Sequence, residues 1–106
     1  TAVALFEFES RMRGMLTVTH ASNESQDTFS AFGSAGSIHI PVLNQGTMTI
    51  RTAAGDRIEA HPPHPNLHLP LIDDFTQAVL TGREPQVGGP IGRDVGRIEA
   101  EIYGGI

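Results

Sequence analysis

HPPHPNLHLPLIDDFTQAVLTGREPQV, residues 61–87, contains the clearest helical pattern in the chain. Apolar residues recur there at the spacing of one helix face, at Leu71, Ile72, Phe75, Ala78 and Val79. Pro70 suits an early helical position, because its missing N–H is least costly there. Gly82 suits a left-handed cap, and Pro85 prevents the helix from resuming. The pattern predicts a helix over about 70–81, which we expect to cover a β-sheet.

The residues before this helix show the alternation of antiparallel strands. Strands are predicted at about 2–9, 15–21, 28–33, 37–42, 47–51 and 57–60, with glycine-containing turns between most of them. Pro41 cannot donate to a sheet ladder, so it is expected at an edge or a bulge. A second helix is predicted over about 91–103, from the apolar spacing of Ile91, Val95, Ile98 and Ile102. The expected fold class is α+β, a mostly antiparallel sheet of about six strands followed by two helices packed on one face.

Length and composition indicate one domain, covering residues 1–106. The net charge of −5 and the lack of a basic block argue against nucleic-acid binding. No apolar run is long enough for a membrane span, and no signal peptide is visible. The absence of cysteine excludes disulfides and thiolate zinc sites, and we expect a cytoplasmic protein. The chain opens at Thr1 within a strand-like pattern, which suggests a cut from a longer protein, although a tag scar or processing would look the same.

Three histidines, His61, His64 and His68, lie within eight residues and could suggest a metal site. His64 and His68 have the i, i+4 separation of helical ligand pairs. Pro65 and Pro70 argue against one continuous helix through both residues. The sequence therefore favours surface or interface histidines in a proline-rich loop, and we expect no metal.

Two further patterns could indicate a phosphate-binding or a catalytic site, but each has a simpler structural explanation. The turn Gly33–Ser37 could cradle a phosphate, but no lysine and no helix follow it, so a tight β-turn is expected. Asp73 and Asp74 could form an acid–base pair, but neighbours on a helix point about 100° apart, which favours a solvated first turn. Neither a nucleophile elbow nor a dinucleotide-binding glycine motif is present. We expect no catalytic and no cofactor-binding residue in this chain.

Several segments, in order, resemble the C-terminal domain of the glucose–fructose oxidoreductase / inositol dehydrogenase / MocA family. They are the hairpin of residues 6–21, the AFGSAGSIHI hairpin of 31–40, the PNLH segment of 65–68 with the Asp74-Phe75 helix, the TGREP turn of 81–85 and the IEAEIY segment of 98–103. Together they span nearly all of the chain. The resemblance implies a dihydrodipicolinate-reductase-like C-terminal domain, here truncated and without its Rossmann domain.

The resemblance also implies an NAD(P)-dependent oxidoreductase that acts on a sugar, cyclitol or related polyol. In such proteins NAD or NADP binds the Rossmann domain, and a lysine of a Glu-Lys-Pro motif assists proton transfer. This chain has no lysine, since all seven of its basic residues are arginine. It is therefore expected to be inert in isolation. The alternative is a non-catalytic dimerisation or ligand-binding module.

Two segments correspond to the border of the family's substrate pocket: Asn23–Asp27, and Asn66 with His68. Because amide, hydroxyl and imidazole groups donate and accept hydrogen bonds, they suit polyol hydroxyls. The candidate substrate residues are accordingly Asn23, Ser25, Asn66 and His68, with ordinary polar loops as the alternative. A sheet without its covering elements leaves apolar surface and open edges, so a homo-oligomer through the sheet face is expected.

Overall fold

The computed structural model describes residues 1–104, and these contain six strands, two α-helices and one short 3-10 helix, Leu43–Gln45. The elements are β1 (Ala2–Glu7), β2 (Arg13–Val18), β3 (Phe29–Gly33), β4 (Gly36–Ile40), β5 (Thr47–Thr52), β6 (Gly55–Ala60), α1 (Leu69–Thr81) and α2 (Gly89–Gly104). All ladders between these strands are antiparallel. The predicted α+β class with six strands and two helices is confirmed. The predicted domain range, 1–106, extends over two further residues that lie outside the described part.

The strands divide into two sheets, whereas the sequence predicted one. β1 and β2 form a two-stranded hairpin, and the other strands form a four-stranded sheet in the order β3-β4-β5-β6. Strands joined by short turns pair with each other, and this applies to every pair in the meander. The polar connection of residues 19–28 is longer than the turns within the meander, because β2 ends before the predicted residue 21, so the sequence does not force β3 to pair with β2.

The chain forms two compact units. The first contains residues 1–23 and the described residues from Asp74 onward, and the second contains residues 24–73. In the first unit, α2 contacts β1. The second unit consists of the four-stranded sheet, the proline-rich loop after it and the first turn of α1.

The end of α1 lies where the sequence predicted it. Gly82 adopts the left-handed conformation, with φ of 73°. The backbone N–H of Arg83 donates to the carbonyl of Ala78 at 3.1 Å, which is the long bond of a Schellman cap. Thr81 donates its hydroxyl to the carbonyl of Gln77 at 2.7 Å. The cap therefore satisfies carbonyls that the helix end leaves without helical partners.

The apolar stripe of α1, which the sequence predicted as core, is mostly exposed. Ala78, with 3% of its surface exposed, is the one residue classed as buried among residues 1–104. Phe75, in the middle of the stripe, is 60% exposed. The helix has formed without the burial expected for its apolar face.

Two glycines allow backbone segments of the four-stranded sheet to approach closely. A Cβ on Gly36 would overlap the carbonyl oxygen of Arg51 on the neighbouring strand. Gly46 has φ of 73°, and a Cβ there would overlap the carbonyl oxygen of His61, whose own N–H donates to Gly46 at 2.7 Å. Pro41 was predicted at an edge or a bulge of its strand, but it follows the last residue of β4, which is a central strand, and so lies outside the ladder.

The register gives the four-stranded sheet two different faces. Ile38 lies opposite both Ala31 and Ile50, whereas His39 lies opposite both Ser30 and Thr49. Because residues directly opposite share a face, these rows separate the side chains into two sets. We call one set the apolar face: Phe29, Ala31, Ile38, Ile40, Met48 and Ile50. We call the other the polar face: Ser30, Phe32, Ser37, His39, Thr49, Arg51, Asp56 and Ile58.

A search of the helices within residues 1–104 finds none with the length and hydropathy needed to cross a membrane.

Candidate functional site

A cluster of hydrogen-bonding side chains lies on the polar face around His39. The hydroxyl of Ser37 lies 3.0 Å from Nε2 of His39, and the hydroxyl of Ser30 lies 3.2 Å from Nδ1. Ser30 comes from the neighbouring strand, directly opposite His39, and Ser37 precedes His39 by two residues on the same face of β4. A neutral imidazole has one donor and one acceptor, so one serine accepts from the ring and the other donates to it.

An aromatic ring borders this cluster. Phe32 meets the His39 ring edge to face, with centroids 5.3 Å apart and an interplanar angle of 76°. Phe32 lies opposite Ser37, and Arg51 lies opposite Ser37 on the other side. Arg51 in turn pairs with Asp56, its neighbour on β6, at 3.7 Å. One row across the sheet therefore presents an aromatic ring, a hydroxyl, a guanidinium and a carboxylate.

A shallow, open depression of about 480 Å³ lies at the β3–β4 turn. Its lining includes residues of the turn and the apolar-face residues Ala31, Ile38 and Ile50. His39 does not line it, so the depression lies mainly on the face opposite the His39 cluster. The candidate site is therefore the His39 cluster itself.

The structure places the four predicted substrate residues on the exposed surface. Asn66 uses its side-chain oxygen to accept the N–H of His68 at 3.2 Å, and its N–H donates to Nδ1 of His64 at 3.0 Å. These bonds shape the entry to α1. Asn66, His68 and Ser25 belong to the second unit and Asn23 to the first. Their role as substrate contacts stays a prediction, and Asn66 also shapes the turn that precedes α1.

The predicted surface histidines make ordinary local contacts. His61 lies 3.3 Å from the carboxylate of Glu59, which also accepts from Arg57 at 3.3 Å. Hydrogen bonds from His61 and then Arg57 lower the pKa of Glu59 below its usual value. Within residues 1–104, no three His, Asp or Glu side chains are grouped so that they could hold a metal ion.

The prediction that Asp74 lies in a solvated first turn of α1 was wrong. Because α1 begins at Leu69, Asp74 lies in the second turn, and its side chain is 19% exposed. It accepts the backbone N–H of Gln86 at 2.8 Å and pairs with Arg83 at 3.0 Å. The Gln86 hydrogen bond, followed by Arg83, lowers the pKa of Asp74. Asp74 therefore ties the loop after α1 back to the helix, and we call these three residues the Asp74 clamp.

Sequence reasoning did not identify the His39 cluster. Ser37 and His39 alternate on one strand, which is a visible signal for a shared face. The contribution of Ser30 and Arg51 depends on the pairing register of three strands. That register is set by turn geometry and by the face that is buried.

Comparison with known proteins finds no matching family model, no similar curated protein and no similar solved structure.

Proposed function

We propose that this chain is the substrate-binding and oligomerisation domain of a larger NAD(P)-dependent oxidoreductase that acts on a sugar, cyclitol or related polyol. The observation that carries the proposal is the uncovered apolar face of the four-stranded sheet. None of its six side chains is buried, and Phe29 is 50% exposed. Fully burying one large aliphatic or aromatic side chain is worth about 1.5–3 kcal/mol, so a cover for this face would stabilise the chain substantially. A domain with such a face is suited to working as one part of an assembly.

The order of the resembling segments along the chain supports the oxidoreductase part of the proposal. The turn of the GSAGS segment joins β3 to β4, the TGREP segment follows α1, and the IEAEIY segment lies within α2. The chain contains no lysine. NAD or NADP and the proton-transfer groups would therefore be supplied by another part of the protein, and the isolated chain is proposed to be inert. The absence of cysteine fits a reducing compartment, and we place the protein in the cytoplasm.

The apolar face also supports a homo-oligomer as the assembled state. Its centre is formed by Ile38 and Ile50, with the charged Arg57 and Glu59 side chains on the same face of the outer strand β6. Stable interfaces have this arrangement of an apolar centre and a polar rim.

The second candidate is a non-catalytic dimerisation or ligand-binding module. The apolar face would serve dimerisation, and the His39 cluster would serve ligand binding. Both candidates predict no dehydrogenase activity for the isolated chain, so only the protein as it occurs in the cell separates them.

The test is to purify the endogenous protein with an antibody against this chain, determine its mass, and assay it with NAD and NADP against a panel of sugars and cyclitols. A polypeptide well above 11.3 kDa that reduces the coenzyme with a polyol supports the oxidoreductase. A polypeptide of 11.3 kDa that binds neither coenzyme supports the module instead. Coenzyme reduction by the purified 106-residue chain alone would overturn the proposal that it is inert.

A further inference from the structure

We propose that the open edge of β3 pairs with the β3 edge of a second copy of this chain, which joins two four-stranded sheets into one continuous sheet. The strand is Phe29–Gly33, and within residues 1–104 it pairs with β4 alone. The contact goes beyond the proposed function, because it uses the edge of the sheet rather than the apolar face. It also does not depend on the chain belonging to an oxidoreductase.

The two edges of the four-stranded sheet differ in charge. β6, at one edge, carries Asp56, Arg57 and Glu59, and charged side chains on an edge strand oppose pairing with a further strand. β3, at the other edge, has the sequence FSAFG, with no charged residue and no proline. All of its residues are exposed, and Phe32 is 80% exposed. β3 is therefore the edge that lacks the usual protection against a further strand.

The register of the sheet shows which backbone groups of β3 point outward. Gly33 and Gly36 flank a two-residue turn and lie opposite each other, which makes them a hydrogen-bonded pair. Because hydrogen-bonded pairs alternate along an antiparallel ladder, Ala31 also bonds to β4. The N–H and C=O groups of Ser30 and Phe32 then point away from β4. A strand placed beside β3 would therefore meet two donors and two acceptors at the spacing of an antiparallel ladder.

The strand is complementary to itself in size. Antiparallel pairing of two copies about Ala31 overlaps every residue of β3. This register places Ser30 opposite Phe32 of the second copy, and Phe29 opposite Gly33 of the second copy. Each aromatic side chain thus lies beside a small residue, and an aromatic ring beside an edge glycine is a favourable cross-strand pair. No like charges meet, because the strand has none.

The pairing changes both faces of the sheet. On the polar face, Phe32 of the second copy lies beside Ser30, whose hydroxyl is 3.2 Å from Nδ1 of His39, so the second copy contributes a residue to the His39 cluster. Residues that lie opposite each other share a face, so the two apolar faces become continuous across the contact. The contact proposed through the apolar face would then join pairs of chains rather than single chains.

The first test is hydrogen exchange of the backbone amides, followed by NMR at several protein concentrations. Exchange at Ser30 and Phe32 should slow at least tenfold between dilute and concentrated samples, because their N–H groups become bonded to the second copy. Ile58, whose N–H points outward from the β6 edge, is the internal control and should change less than twofold. Fast exchange at every concentration would overturn the proposal. Slow exchange that does not depend on concentration would overturn it as well, since another strand of the same chain would then cover the edge.

Two matched variants test whether the β3 edge itself is the contact. Phe32→Lys places a charge on this edge and should return the exchange rate of Ser30 to that of the dilute protein. Ile58→Lys makes the same change at an exposed position on the other edge, also on the polar face, and should leave the exchange of Ser30 slow. Equal exchange rates in the two variants would overturn the proposal.

Cysteine cross-linking tests the register and the identity of the partner, and it serves if Phe32→Lys does not fold. The chain has no cysteine, so an introduced thiol is unique. Ser30→Cys mixed with Phe32→Cys should form a disulfide-linked dimer on mild oxidation, because hydrogen-bonded partners have Cα atoms about 5.5 Å apart. Either variant alone should form at least tenfold less, because its two thiols are offset by two residues along the strands.

Two cross-linking results would overturn the proposal: no linked dimer in the mixture, or equal linkage in the mixture and in each variant alone. Failure of the proposed function looks different. An endogenous protein that reduces no coenzyme while Ser30 and Phe32 show concentration-dependent exchange would remove the oxidoreductase and leave the β3 contact. Coenzyme reduction by an endogenous protein whose β3 amides exchange fast at every concentration would do the reverse.

Discussion

The Asp74 clamp at the end of α1 and the apolar face of the four-stranded sheet are stabilised in different ways. In the clamp, Asp74 has two partners within twelve residues along the chain, and Gly82 completes the helix cap. On the apolar face, Ile38 and Ile50 lie directly opposite each other on neighbouring strands, and neither side chain is buried.

A short segment can complete its own hydrogen bonds, whereas an apolar surface is buried only by a second surface. A helix cap or a partly buried carboxylate needs only a few donors or acceptors, and a loop of a few residues provides these groups. Hydrophobic stabilisation grows with the area removed from water, and one sheet face cannot remove its own area. The clamp is therefore complete within the described chain, whereas none of the six side chains of the apolar face is buried.

The largest effect is expected from placing a charge on the apolar face. Ile50→Asp should dissociate the proposed homo-oligomer, because the interface would lose an aliphatic side chain and would have to desolvate a carboxylate, even with Arg57 directly opposite it. At about 2 kcal/mol for each lost aliphatic side chain and two copies in a dimer, the dissociation constant should rise at least a hundredfold. Light scattering across a concentration series measures this.

Thr49→Asp is the matched control for Ile50→Asp, since it introduces the same charge one residue away on the polar face. It should leave the assembly intact. Two results would show that the apolar face is not the contact between copies. One is an unmodified protein that remains monomeric at high concentration. The other is an oligomer that dissociates equally in both variants.

An intermediate effect on the free energy of unfolding is expected from replacing one glycine by alanine in the four-stranded sheet and one at the end of α1. Gly36→Ala in the sheet should destabilise the protein by about 3 kcal/mol, because the Cβ meets a backbone oxygen that cannot rotate away. Gly82→Ala at the helix cap should cost about 1–2 kcal/mol, since the space is open and only the left-handed conformation is unfavourable. Urea unfolding measures both.

Gly92→Ala, in α2 where nothing lies near the added carbon, is the control and should stabilise the protein by about 0.5–1 kcal/mol. If Gly82→Ala proved as costly as Gly36→Ala, the cap would be more crowded than the structure indicates.

The smallest effect is expected in the pH dependence of the clamp. The pKa of Asp74 is lowered in the folded protein, so its contribution is present above the ordinary carboxyl value of 3.8 and is lost as the pH falls through the lower folded value. Asp74→Asn should therefore flatten the fall in melting temperature below about pH 4. Arg83→Gln should flatten it only in part, because the Gln86 N–H remains.

Arg93→Gln is the control for Arg83→Gln, because it also removes one positive charge, at an exposed position in α2. It should leave the pH dependence of the melting temperature unchanged. A melting curve for Asp74→Asn that follows the unmodified protein at every pH would mean that the clamp does not form in solution.

Local patterns along the chain predicted much of this fold. The spacing of Leu71, Phe75 and Val79 predicted α1 to within one residue at its start, and Gly82 predicted its end. The two helices and six strands follow from the same kind of pattern. The role of Asp74 was predicted wrongly, because its partners, Arg83 and Gln86, reach it only after the chain has turned at Gly82.

The sequence by itself determined the type and order of the helices and strands, because apolar spacing, glycine and proline act within a few residues. It predicted strand limits only approximately, as for β2, predicted at 15–21 and observed at Arg13–Val18. It also determined the alternation that gives the four-stranded sheet two unlike faces. Only the tertiary structure decided which residues lie opposite each other. Ser30 reaches His39, and Arg51 reaches Asp56, through pairing between strands. The division into two sheets was decided in the same way, since hydrogen bonds between strands depend on register and connection length, which no single strand encodes.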